Sequence, residues 1–440
     1  MDDSERTATE SGTSLRRLSL RLKPVLLQVY RLAVLVIICW LIRDHHVRLR
    51  VTGDRPIEVP EAQFFWTNAA SIKHDHSALG GMMVYDPQGG RIGYLLRTMP
   101  DASHIIGYSG TTDTLVALDD KWKVRGINIR SSEDTVKHAE DVMLDWSFKR
   151  KFNGKGWSEV AGTDLMAERF EGVAGATMTS TAVARGIVHR FRVTQGKAVK
   201  QSVVWETEDV GLIGAICLGL FLTFSKHRGR AKARKWFQWY VIGYVGFLTG
   251  DLLAQSLLSG WARAGVAWTL APGLVLLAAA ALLVPWATKR PLYCQQICPH
   301  GAVQEIILKN TPPQWRIALP AGLDAGLRWG PGLLLGFMML LVMIPLEFDL
   351  ADFEPFDAYI LGIAGTATIA VAIVGLIASV LVPKAYCKYG CPTGSLLEFV
   401  RSHGSRDRFG RRDVGALMVV LIVGASHFYH ERVQAWLYDF

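Results

Sequence analysis

Seven apolar runs constrain this chain more than any other feature; they lie near residues 25–42, 208–225, 237–259, 267–287, 329–346, 359–383 and 413–427. Each is long enough to cross about 30 Å of hydrocarbon, which takes roughly 17 to 25 helical residues. A backbone in lipid satisfies its polar groups only within helices or closed barrels, so the sequence predicts a multi-pass α-helical membrane bundle of about seven transmembrane helices. Composition agrees, with 50% hydrophobic residues, 20% charged residues and 14 tryptophans.

The net charge of +9 does not mark a nucleic-acid surface, because the basic residues gather in short loops beside the apolar runs. Arg16, Arg17, Arg21 and Lys23 precede the first run, and Lys226, Arg228, Arg230, Lys232, Arg234 and Lys235 follow the second. The positive-inside rule places both groups in the cytoplasm. Alternation then puts Lys289, Arg290, Lys309, Arg316, Lys384 and Lys388 inside, and the acidic turn LEFDLADFEPFDAY outside together with residues 45–205. Arg31 interrupts the first run, whose basic start also resembles a signal peptide; without a small-x-small cleavage site after it, a retained anchor is expected. The expected domains are 1–44 (cytoplasmic N-terminus and anchor), 45–205 (outer domain) and 206–440 (a six-helix membrane domain).

Short β-like runs in the outer region (RIGYLL, HIIGYSG, DTLVALD, VRGINI, QSVVWE) alternate with helical stretches, as in a compact α+β domain. It contains no cysteine, so it carries neither disulfides nor cysteine-bound metal. One segment, FEGVAGATMTSTAVARGIVHRF from Phe170, stands out. Gly175 and Ala176 leave the backbone approachable, and Thr177, Thr179 and Ser180 bring hydroxyls to a helix start that favours an anion such as a phosphate. The same residues serve equally as plain helix caps.

The membrane region contains a repeat. YCQQICPHGAVQEII from Tyr293 and YCKYGCPTGSLLEFV from Tyr386 align without a gap, and Tyr, Cys, Cys, Pro, Gly and Glu recur at an offset of 93. Cys294, Cys298, Cys387 and Cys391 would satisfy a Cys₄ iron–sulfur cluster. Zinc, a dithiol pair and a purely structural role are the other readings, and His300 is an alternative ligand. Cys39 and Cys217 sit singly in apolar runs and read as buried small side chains. Asp251, inside the third run, points either to proton or quinone handling or to a helix-to-helix hydrogen bond. His427 and His430 suggest haem ligation or, with Phe428, Tyr429, Trp436 and Tyr438, an interfacial anchor. There is no nucleotide loop, catalytic triad or DNA-binding motif.

GVAGATMTSTAVARGI resembles the attachment site of the FMN-binding domains in NosR-type proteins and in the C and G subunits of Nqr and Rnf complexes. There a flavin transferase joins FMN through its phosphate to the threonine ending an Asp-x-x-Ser/Thr-Gly-Ala-Thr motif. The resemblance makes Thr177 the acceptor, after Gly175 and Ala176. Glu171 stands where Asp is usual and Ala174 where Ser or Thr is usual. SHIIGYSGTTDTLVALDDKWKVRGINI resembles the first half of the same domain, which would bring Gly107, Tyr108 and Ser109 to the flavin. The doubled cysteine motif resembles the membrane part of NosR, NapH-type and PceC-type proteins. NosR-type chains continue into a ferredoxin-like region, whereas this sequence runs to HERVQAWLYDF after its last run, so the PceC-like layout is nearer and a cytoplasmic donor would be a separate partner.

The resemblance implies a membrane flavoprotein of the bacterial cytoplasmic membrane with its FMN domain on the periplasmic side. It would carry electrons between a quinone or ferredoxin-like donor and a periplasmic reductase or carrier, as an electron-transfer component with no catalytic residue of its own. The alternative is a redox sensor or maturation factor for such a reductase. About 30 Å of bilayer is too far for one fast electron step, so a mobile outer domain, a quinone or another partner is expected to close the gap.

Overall fold

The computed structural model describes residues 3–429 and 432, apart from 53–54, 78, 166–169, 197–202, 204, 227–229, 345–348, 361 and 363. His430, Trp436 and Tyr438, and residues 201, 202 and 204 of the QSVVWE run, lie outside the described residues. The chain is mostly helical, with a separate β-sheet domain.

Helix α1 (Asp3–Thr52) leads into the sheet domain, a five-stranded antiparallel meander of β1 (Ser71–His74), β2 (Met82–Tyr85), β3 (Arg91–Arg97), β4 (Thr112–Leu118) and β5 (Val124–Ser132). Period-2 patterning assigns the two faces. Tyr94, Leu96, Val116 and Leu118 pack with Val183, Ala184, Ile187 and Phe191, while Leu95 and Ala117 pack with Trp66 and Val84 on the other side. Helices α2 (Val136–Leu144) and α3 (Thr177–Thr194) cover the first face. The HIIGYSG run is not a strand: residues 105–110 form an irregular turn.

The helical region comprises α4 (Thr207–Phe224), α5 (Ala231–Tyr240), α6 (Gln255–Ala264), α7 (Pro272–Thr288), α8 (Pro299–Asn310), α9 (Gly330–Met343), α10 (Thr366–Leu381), α11 (Pro392–Val400) and α12 (Arg411–Phe428). Among the described residues, three helical stretches are long and apolar enough to cross a membrane: Lys23–Leu49, Thr207–Phe224 and Ala321–Met343. The apolar helices Pro272–Thr288 and Thr366–Leu381 are shorter.

Two regions depart from the sequence expectation. The run 237–259 is not one helix: α5 widens into a π-helix over Val241–Thr249 and ends at Gly250, whose φ of 69° is left-handed. Residues 250–254 are non-helical before α6 begins. The acidic turn, described from Asp349, packs back into the bundle, and Glu354, Asp357 and Tyr359 are buried.

Arg31 interrupts the apolar run of α1 because it is needed inside. It is 1% exposed and pairs with Asp407 at 2.9 Å and with Asp413 at 2.8 Å, fastening α1 to α12. Burial opposes ionisation of Asp407, but Arg31, the His403 amide and Arg412 hold its carboxyl down to about 2, from an ordinary 3.8. Arg31→Met takes the guanidinium from Asp413 and leaves Asp407 with Arg412 as its cation; breaking this buried pairing is expected to cost about 3–5 kcal/mol, read from thermal unfolding in detergent. Because the folded-state value is depressed, the stabilisation from Asp407 is complete above 3.8 and is lost as pH falls towards about 2. Acid melts of the native chain are expected to show that loss, and melts of Arg31→Met are expected to show less of it.

Candidate flavin and cysteine sites

The loop before α3 is built to hold Thr177 at the first helical position. Gly175 has φ 80° and turns the chain, and a Cβ on Gly172 would lie 2.8 Å from Ser180 Oγ. Ser180 Oγ accepts from the Val173 amide at 2.9 Å and lies 2.9 Å from the Ala176 carbonyl, so Ser180 binds the loop to its own helix. Thr177 Oγ1 donates to the Val173 carbonyl at 3.3 Å and is part-buried. Helix α3 presents Thr177, Met178 and Thr181 to a cavity of about 350 Å³, with Ala174 and Gly175 at its edge. That volume is in the usual range for a small-molecule site, about 300–1,000 Å³.

Other residues singled out in the sequence are placed differently. Thr179 is fully buried and donates to Asp134 Oδ2 at 2.5 Å, away from the cavity. Ser180 and Ala176 are likewise internal. Glu171 is exposed, and its carbonyl accepts from Lys151 Nζ. Tyr108 lines the cavity, stacked on His138 at 4.8 Å and 11°. Ser109 faces a second cleft beside Glu133 and Asp134, and its amide donates to Asp134.

Asp134 and His138 were not anticipated. Asp134 Oδ1 accepts from the amides of Ser109 and Gly110, both at 2.8 Å, and Oδ2 takes the Thr179 hydroxyl. A Cβ on Gly107 would sit 2.3 Å from Asp134 Oδ2, so the Gly-Tyr-Ser-Gly turn closes only around this carboxylate. Burial raises Asp134 above the usual carboxylate range, against those three donors. His138 hydrogen-bonds Thr135 Oγ1 and is pushed down to about 4 by burial, so a neutral ring backs Tyr108.

The helical region supplies the opposite wall of the cavity: Glu206, Glu208, Asp209, the segment Phe247–Asp251, Leu270, Ala271, Leu274 and Ile360. Asp251 therefore sits in the break after α5, on the cavity. The sheet domain also docks directly on α6, where a Cβ on Gly260 would lie 2.0 Å from the Ser109 carbonyl oxygen.

The two cysteine motifs fold alike. Cys298 caps α8, its Sγ accepting from the Gly301 amide at 3.4 Å, and Cys391 caps α11, its Sγ accepting from the Gly394 amide at 3.1 Å. Pro299 and Pro392 occupy the first helical position, where a missing N–H costs nothing. Cβ atoms on Gly301 and Gly394 would lie 3.1 Å from the Cys294 carbonyl and 3.3 Å from Cys391 Sγ, which accounts for the recurring glycine. The recurring glutamates bind basic side chains at the rim. Glu305 takes Arg234, Lys309 and, from just before the other motif, Lys384; Glu398 takes Arg401 and His403.

Gln304, fully buried, joins the halves: its Nε2 donates to Cys387 Sγ at 3.2 Å, and Ser379 Oγ lies 2.9 Å from its Oε1. All four cysteines are free thiols. Burial pushes them up, Cys298 to about 12, and neighbouring cysteines add to the effect at Cys294, Cys298 and Cys391. Such thiols become thiolates only against bound cationic metal. Among the described residues, no three His, Cys, Asp or Glu side chains gather around one point closely enough for a single ion. A cubane, whose irons each take one thiolate, tolerates a wider set. Four thiols from two like-folded motifs are the donor set that a Cys₄ iron–sulfur cluster takes.

Comparison with known proteins bears on both regions. Residues 107–189 match the model of an FMN-binding domain, and residues 270–317 and 364–412 each match that of a 4Fe-4S binding domain. YccM of Escherichia coli (strain K12), named for electron transport, is 34% identical over 119 residues, covering 24% of this chain and 33% of that protein. The chain thus spans about a third of the length of that relative. No solved structure matches it. An FMN-binding domain and a doubled 4Fe-4S-binding domain beside long apolar helices fit a membrane flavoprotein family.

Asp134→Ala orphans two amides and a hydroxyl, each at a cost of about 1–3 kcal/mol. It is expected to lower the melting temperature of the FMN-binding domain and to open its 107–110 turn to hydrogen exchange, measured by mass spectrometry. Gln304→Leu removes an N–H donor from a cysteine sulfur and is expected to shift the cluster's midpoint potential to more negative values in an EPR-monitored redox titration.

Proposed function

We propose that this chain is a membrane flavoprotein that passes electrons between a cluster held by Cys294, Cys298, Cys387 and Cys391 and an FMN esterified to Thr177. The observation that carries the reading is the cavity: the residue expected to be esterified, at the start of α3, faces the same helical region that holds the cysteines. Bound FMN exchanges one or two electrons and an iron–sulfur cluster one, so together they join two-electron and one-electron carriers.

The residues divide the work. The start of α3 supplies the positive end of a helix dipole to the phosphate beside Thr177. The carboxylates of Glu206, Glu208 and Asp209 across the cavity repel phosphate and so restrict it to that end. Tyr108, backed by His138, offers a flat face for a ring system. Asp251 is placed to hold or release a proton at the cavity wall.

In this reading the seven apolar runs all cross or enter the bacterial cytoplasmic membrane, residues 45–205 lie outside it, and residues 1–44 and 206–440 form the anchor and the membrane domain. The likeness to NosR/NirI-type and PceC-type proteins belongs to the same proposal, as do a flavin transferase for attachment and a periplasmic reductase or carrier as acceptor. A quinone is the preferred donor. A cavity of about 490 Å³ opens beside Cys387 and Cys391, walled by Leu35, Ile38, Leu333, Phe337 and Val419 and rimmed by Arg328, Arg411 and Arg412. A redox sensor or maturation factor is the second reading. It shares both cofactors and differs in delivering no current.

The test is in-gel flavin fluorescence of denatured protein co-expressed with a flavin transferase. The native chain is expected to fluoresce and Thr177→Val to be dark. Cys294→Ser should keep the fluorescence but lose flavin reduction by added quinol. A fluorescent Thr177→Val chain would overturn the attachment site, and flavin reduction that survives Cys294→Ser would overturn the route.

A further inference from the structure

The segment 349–360, part of the acidic turn that the charge pattern places outside, touches both sites. At one end Asp349 lies beside the amides of Val136 and Lys137, at the start of α2 in the FMN-binding domain. In the middle, the Glu354 carboxylate takes the Gln255 amide and the Thr393 hydroxyl, the latter at 2.9 Å and two residues from Cys391. At the other end, Tyr359 OH lies 3.1 Å from His300 Nδ1, two residues from Cys298. Its ring packs on Phe247 at 5.3 Å, and Ile360, the next residue, packs against the core of the FMN-binding domain. Phe247 and Ile360 both line the flavin cavity. Gly246 permits this closeness, since a Cβ there would meet Tyr359 at 3.1 Å and Pro299 at 3.2 Å. From cavity wall to cysteine motif the route is Phe247 or Ile360, then Tyr359, then His300.

We infer that segment 349–360 is a re-entrant bridge that holds the flavin cavity and the cysteine centre in fixed, direct electron-transfer contact through Phe247, Tyr359 and His300. The inference rests on the proposed function and goes beyond it, because it removes the need for a mobile domain or a carrier between the two centres. In the step, one electron leaves the reduced cluster, which is oxidised, and enters the oxidised flavin, which is reduced. No covalent bond forms or breaks, and Tyr359 and His300 act as packed, hydrogen-bonded medium without changing oxidation state. The docking of the FMN-binding domain on α6 at Gly260 keeps the geometry fixed.

The test uses the full chain in detergent, with FMN and iron counted first. EPR power saturation of the one-electron-reduced flavin is compared with the cluster reduced, and so paramagnetic, and with it oxidised. Contact predicts a several-fold rise in the half-saturation power when the cluster is reduced. Gly260→Val, which would push the Ser109 backbone off α6, should abolish the rise while both cofactors remain. Tyr359→Leu should keep most of it yet slow single-turnover flavin reduction several-fold. If both cofactors are present and flavin saturation ignores the state of the cluster, the bridge is wrong and the proposed function survives. If FMN or iron is missing from the native chain, the proposed function falls and the bridge with it.

Discussion

Glu354 is 1% exposed, in a segment whose charge should keep it in water. A carboxylate stays buried only where donors replace its water, and here they come from two places: the Gln255 amide at the start of α6 and the Thr393 hydroxyl at the start of α11. That set joins the helix on which the FMN-binding domain docks to the helix that Cys391 caps. The neighbouring parts follow from it. The break at residues 250–254 lets α6 present its first amides sideways, and the segment then reaches His300 through Tyr359. A continuous helix over 237–259 would have satisfied the Gln255 amide internally and left Glu354 with the Thr393 hydroxyl alone.

The same economy shapes the flavin side. Asp134 gathers the turn that carries Tyr108 and the first turn of α3, so two segments distant in sequence meet around one buried acid. Thr177 remains on the cavity because Thr179 and Ser180, with the same chemistry, are spent on internal hydrogen bonds. Placing the hydroxyl of Thr177 at a helix start, beside an aromatic face, gives the cavity one end for an anion and one for a ring.

Features with local causes were legible in the sequence. The cysteine motifs repeat a grammar of cap, proline and glycine that works within a few residues, and strands β3 to β5 follow from period-2 alternation closed on both faces. Features decided by distant partners were not. Arg31 reads as a flaw in a span until Asp407 and Asp413 are beside it. The acidic turn reads only as a segment outside the membrane, because nothing within it announces Gln255 or Thr393. Gly250 resembles any glycine in an apolar helix, and only its left-handed φ reveals the break. Asp134 and His138 carry no local motif, although GYSG, with two glycines flanking an aromatic, hinted at a turn pressed against something.

The account depends on one chain carrying both redox centres at the residues named. The most direct measurement is the content of iron, acid-labile sulfide and peptide-bound flavin in anaerobically purified protein, with mass spectrometry of the peptide that contains Thr177. The account predicts one FMN per chain on that peptide and iron and sulfide in the ratio of a single cubane, with the iron lost when Cys387 is replaced by Ser. Zinc at the cysteines, or flavin attached elsewhere than Thr177, would contradict it.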